Sequence, residues 1–129
     1  EDMSAEIAGV DEDLVNLVGH GATVLRPPYG NINDSVRSTV GTPMILWSID
    51  TLDWETQDAS QITEAVMSQV QDGSIILMHD IFSTSVDAAE IFIPKLIEEG
   101  YQLVTIHELA KIKGTELTTG IAYGDFTGQ

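Results

Sequence analysis

The chain has 129 residues, no cysteine, and 21 Asp and Glu against five Lys and Arg, a formal net charge of −16 at pH 7. That length suits one domain, and a hydrophobic share of 43% can build a core without metals or cross-links. The acidity disfavours a nucleic-acid partner, the missing cysteine excludes disulfides and thiolate chemistry, and the apolar runs fall far short of the ~20 residues of a transmembrane segment.

The opening, EDMSAEIAGVDEDLVNLVG, has neither a basic n-region nor an apolar h-region, and it enters a helical pattern at once. The chain is therefore expected to be a piece of a longer protein. Met3, Ile7, Val10, Leu14 and Leu17 form a helical stripe that Gly19 stops. An apolar strand at 22–25 meets Arg26-Pro27-Pro28-Tyr29-Gly30, where the prolines end the ladder. Asn33 or Asp34 caps a short helix through Val40, closed by Gly41.

A second strand is expected at 43–49, then a polar loop at 50–58. A helix over 60–70 buries Ile62, Val66 and Val70 and ends at Asp72-Gly73. The strand 74–78 follows, with His79-Asp80 at its end. A helix over 86–99 presents Ala89, Phe92, Ile93, Leu96 and Ile97. Pro94 is expected to kink it or to set its true first turn. Gly100, a strand at 102–106 and a short helix at 108–112 complete the pattern, and residues 114–129 read as a flexible C-terminal tail.

Alternating strands and helices predict an α/β fold with parallel strands. The strands are continuous apolar runs, which argues for burial on both faces. Four such strands would leave two open edges, so further strands are expected from elsewhere, N-terminal to Glu1.

Ligands of parallel α/β sheets and barrels bind beyond the carboxyl ends of the strands. The residues there are Arg26–Gly30, Asp50–Trp54, His79-Asp80 and His107-Glu108. A cation, carboxylates and an imidazole suit acid–base work. Each also has an ordinary structural reading: Asp53 as a turn or cap residue, Arg26 as a tether for an acid, Trp54 as packing. His20 lies at the opposite end, and His107 reads as a polar residue heading a short helix.

Three segments in order, Arg26-Pro27-Pro28-Tyr29-Gly30, Asp50-Thr51-Leu52-Asp53-Trp54 and Ile76-Leu77-Met78-His79-Asp80, resemble the third, fourth and fifth motifs of the polysaccharide deacetylase domain. That domain is carbohydrate esterase family 4, also called the NodB homology domain, and the wording most resembles its bacterial peptidoglycan N-acetylglucosamine deacetylases. The resemblance covers residues 1–113 and implies about half of a catalytic domain, part of a distorted (β/α) barrel. It implies metal-dependent hydrolysis of N-acetyl groups on a peptidoglycan glycan, at an extracellular or cell-wall location. His79 would be the general acid, resting as imidazolium with Asp53 favouring that form and fixing the ring. Arg26 would hold an Asp base ionised, the Tyr29 amide would face the developing oxyanion, and Trp54 and Leu77 would wall the acetyl pocket.

The motifs that would supply the base Asp and the ligands of a divalent metal, expected as zinc, are not in the chain. His20, His79 and His107 are too far apart in sequence to form the implied pair of His ligands three or four residues apart. No metal site is placed here, the missing N-terminal half is the implied partner, and the chain alone is expected to be inactive. The alternatives are a chitin-oligosaccharide deacetylase, an acetylxylan esterase, or a non-catalytic glycan-binding relative. A degenerate, inactive relative also competes with a piece of an enzyme, and the intact set Arg26, Asp53 and His79 favours the piece.

Overall fold

The computed structural model describes residues 2–128. In chain order its elements are α1 (Met3–Val18), a 3-10 turn (Pro28–Gly30), α2 (Asp34–Thr39), β1 (Met44–Ile45), β2 (Ile49–Asp50), α3 (Asp53–Thr56), α4 (Ala59–Met67), β3 (Ile76–Leu77), α5 (Ser83–Glu98), α6 (Ile106–Ile112) and β4 (Ala122–Tyr123). They gather into two compact units. One holds the chain through Leu46 with Glu116–Tyr123, the other Trp47–Thr115 with the stretch from Gly124 onward.

In the first unit, Asp2 caps α1 by accepting from the Ser4 N–H, and Gly19 ends it at φ 87°, a conformation that costs glycine little. The expected stripe is only partly used. Met3, Ile7 and Leu14 are half-buried, whereas Val10 and Leu17 are exposed. Residues 22–25 shrink from a strand to one parallel bridge, Leu25 to Met44, because the prolines that follow carry no N–H. Asn33, not Asp34, caps α2 by accepting from the Val36 N–H at 2.9 Å. β1 runs parallel to β4, with Met44 opposite Ala122. Pro27, Val40, Met44 and Ile45 are the buried apolar side chains of this unit among the described residues.

The strand expected over 43–49 is broken into β1 and β2, because its backbone changes partner part-way. The Leu46 N–H donates to the Tyr123 carbonyl and the Ser48 N–H to that of Ile75. The second unit is built on β2 and β3, parallel, with Ile49 opposite Ile76 and Asp50 opposite Leu77. Asp58 caps α4 by accepting from the Gln61 N–H, and Ile62 and Val66 of α4 bury against Ala88, Phe92 and Leu96 of α5.

That packing explains why α5 continues through Pro94 instead of starting there. A helix-interior proline costs about 3 kcal/mol. Burying Phe92 and Leu96 on either side of it returns roughly 1.5–3 kcal/mol each, so the longer helix wins. No strand forms at 102–106, because Thr105 and Glu108 make a reciprocal capping box that starts α6 at Ile106. Residues 114–128 hold order that their small, polar composition hides. They contain β4, and Phe126 is only 1% exposed. Gly73 sits at φ 97°, where a Cβ would lie 2.5 Å from the Phe126 backbone, so that approach requires glycine. No helix of the described residues is long and apolar enough to cross a membrane.

Candidate active site

The parallel register of β2 and β3 sets Asp50 beside Leu77. Asp53 therefore stands three residues past one strand end, and His79 two residues past its neighbour's. The link from Asp50 to Asp53 is short and bent. The Leu52 N–H donates to Asp50 Oδ1 at 3.0 Å, and Leu52 itself is left-handed at φ 51°, an arrangement a branched side chain adopts only when its surroundings impose it. Thr51 Oγ1 donates to the Leu77 carbonyl at 2.8 Å, tying the two strand ends together.

Asp53 is 0% exposed, and both of its oxygens are used twice. Oδ1 lies 2.8 Å from His79 Nδ1 and accepts from the Trp54 N–H at 3.0 Å. Oδ2 accepts from the His79 N–H and from Ser85 Oγ, each at 2.6 Å. Burial alone would raise the Asp53 pKa. The Ser85 hydroxyl, the His79 ring and the His79 amide outweigh it, and the carboxyl is held below its ordinary range. A charged Asp53 accepts a hydrogen bond from Nδ1–H, which leaves Nε2 on the far side of the ring as the group able to exchange a proton. The His79 side chain is 40% exposed, and the ring of Phe82 meets it edge-on, centroids 6.5 Å apart.

Sequence reasoning missed Ser85 and Phe82. A serine in the first turn of a helix reads as a capping residue, and nothing in the local pattern says that it reaches back to Asp53. Of the other expected residues in this unit, Trp54 follows Asp53 in α3 and is 52% exposed, and Leu77 lies in β3 and is buried. In the first unit, Arg26 donates from Nε to the Ile45 carbonyl at 3.3 Å and from Nη2 to that of Leu46 at 3.2 Å. Tyr29 is left-handed at φ 58° and 93% exposed. His20 is spent on a contact with its neighbour's carbonyl, and His107 is exposed.

Among the described residues, no three His, Asp or Glu side chains converge as a metal would require. The divalent ion implied by the resemblance does not fit these residues, and no step is assigned to it.

The depressed Asp53 pKa predicts a pH dependence of stability. Its contribution is present above the unfolded carboxyl's ordinary value of 3.8 and is lost as pH falls through the lower folded value. The stability difference between wild type and Asp53→Asn, from urea melts at successive pH values, is expected to shrink below about pH 4. A constant difference would show that Asp53 is not ionised by its partners.

No family model matches the chain. It is 44% identical over 103 residues to the peptidoglycan-N-acetylmuramic acid deacetylase PdaC of Bacillus subtilis, which is 79% of this chain and 22% of that protein. The solved PdaC structure superposes with a TM-score of 0.83 over 86% of this chain and 55% of that one. Against the peptidoglycan-N-acetylglucosamine deacetylase PgdA of Listeria monocytogenes, identity is 36% over 127 residues, 98% of this chain and 27% of that protein. A family 4 acetyl xylan esterase from Clostridium thermocellum, solved with a cobalt ion, superposes at TM-score 0.85 with 27% identity, over 95% of this chain and 62% of that one.

An α/β chain of parallel strands with an imidazole–carboxylate pair at the strand ends is thus part of a (β/α) barrel of the deacetylase type. It belongs to carbohydrate esterase family 4, the polysaccharide deacetylases. The chain spans about a quarter of the curated relatives' length.

Proposed function

We propose that the protein containing this chain hydrolyses the N-acetyl group of N-acetylglucosamine in bacterial peptidoglycan, at the cell wall. The observation that carries the reading is the His79 ring, half-open to solvent and backed by the fully buried Asp53 carboxylate at adjacent parallel strand ends. In the reaction water adds to the acetamide carbon, the C–N bond breaks, acetate leaves, and the amine takes its proton from His79 Nε2. Asp53 fixes the ring's orientation and tautomer.

Arg26 would hold the carboxylate that serves as base, supplied from outside this chain, and the Tyr29 amide would meet the oxyanion. Trp54 and Leu77 would border the acetyl group. The divalent metal of the complete enzyme, proposed as zinc, would take its ligands from the missing N-terminal half of the domain. Support for a metal comes from the cobalt-bound relative. The isolated chain is therefore expected to be inactive.

The relatives divide between muramic acid and glucosamine as the sugar, and likeness to an acetyl xylan esterase favours a second reading in which an ester is cleaved. Acetate release by the intact protein from peptidoglycan, chitin oligomers and acetylxylan separates these readings. Mass spectrometry of the digested glycan identifies the deacetylated sugar. Release from peptidoglycan, lost on chelation and restored by Zn²⁺, is expected. No acetate from any of the three with metal supplied would leave a non-catalytic glycan-binding relative.

A further inference from the structure

Ser85 is the third residue of α5 and is 2% exposed. A serine in the first turn of a helix ordinarily serves the helix's own N–H groups. Here the cap position is Phe82, no side chain caps α5, and the neighbouring Thr84 hydroxyl is buried with no partner. The Ser85 hydroxyl instead leaves its helix and donates to Asp53 Oδ2 at 2.6 Å. The bond spans 32 positions of sequence.

A carboxylate turns easily about its terminal torsion, which is broad and roughly two-fold. Two of the four donors on Asp53, the ring and the amide, belong to His79, the group to be aimed, and a third is the amide of the adjacent Trp54. Ser85 is the donor that comes from a separate element. That element is anchored through Ala88, Phe92 and Leu96 in the apolar core against α4. Rigidity of the α4–α5 pair therefore reaches the carboxylate through one hydroxyl.

We propose that Ser85 is a positioning residue. Its hydroxyl locks the plane of the Asp53 carboxylate so that Oδ1 faces His79 Nδ1 and the ring keeps Nε2 toward its open side. The kinetic half of this proposal rests on the deacetylase reading; the spectroscopic half does not. In the intact protein, the imidazole ¹⁵N resonances of His79 are expected to report one Nδ1-protonated arrangement in wild type. The expected result in Ser85→Ala is averaged resonances. Ser85→Cys, which keeps the shape of serine with a larger atom that donates weakly, is expected to match Ser85→Ala, and Ser85→Thr to match wild type.

Loss of a buried hydrogen bond to a charged group is expected to lower kcat about tenfold in Ser85→Ala and Ser85→Cys, with KM within about twofold. Ser85→Thr is expected to stay within about threefold of wild type. Unchanged His79 resonances in Ser85→Cys would overturn the proposal, as would full kcat in Ser85→Cys or a Ser85→Thr variant as slow as Ser85→Ala. If wild type releases no acetate, the deacetylase reading fails while the resonances still decide the role of Ser85.

Discussion

His79→Ala in the intact protein is expected to lower kcat on N-acetylated glycan by about 10³-fold, within the range for removing a general acid. The loss should depend on the leaving group. A sugar amine is a poor leaving group and must be protonated as the C–N bond breaks, whereas 4-nitrophenolate departs without help. The same variant should therefore hydrolyse 4-nitrophenyl acetate at close to the wild-type rate. Stability should fall by about 1–3 kcal/mol, since the buried Asp53 carboxylate loses one of its four donors. Equal losses on both substrates would mean that His79 shapes the site or binds substrate without delivering a proton. No loss on the amide would remove it from the reaction. Paired kinetics on the two substrates, with a thermal melt to verify folding, settle which holds.

What the sequence revealed and what it hid follow from the range of each interaction. The Asp53–His79 pair was legible because both residues sit at strand ends, where one rule about parallel sheets places ligands, and because three short motifs occur in order. The end of α1 and the start of α2 were legible because caps are local: Gly19 and Asn33 act within a few residues. Ser85 was not, since its partner lies 32 positions away and its residue type suggests only a cap. Strand lengths were overread for a related reason. Apolar composition marks residues 43–49 as buried, but only the ladder partners decide where pairing stops, and they change between Leu46 and Ser48. Pro94 does not set the start of α5, because a local penalty is outweighed by burial against a helix distant in sequence. Phe126 shows the same limit, its burial set by a glycine more than fifty positions earlier.

Asp53→Asn carries the second large effect, and it acts on stability and rate together. Four donors converge on two oxygens in wild type, and a carboxamide offers one oxygen and one NH₂ group. With the amide oxygen turned to the ring, the NH₂ faces the Ser85 hydroxyl, which can rotate to accept, and the His79 N–H, which cannot. One buried backbone donor is then orphaned, at about 2 kcal/mol. With the oxygen turned the other way, the NH₂ faces His79 Nδ1, which must become an acceptor and forces the ring into the opposite tautomer. Both arrangements remove the carboxylate that fixes the ring, and the second also sets the wrong tautomer, so kcat should fall about 10³-fold. Because Asp53 acts through His79, the two losses should not add. The double variant His79→Ala, Asp53→Asn is expected to be no slower than His79→Ala alone, measured as acetate release by the intact protein. A double variant slowed by the product of the single effects would mean that Asp53 contributes by a route independent of the imidazole, and an Asp53→Asn protein at full rate would end the pair's role in catalysis.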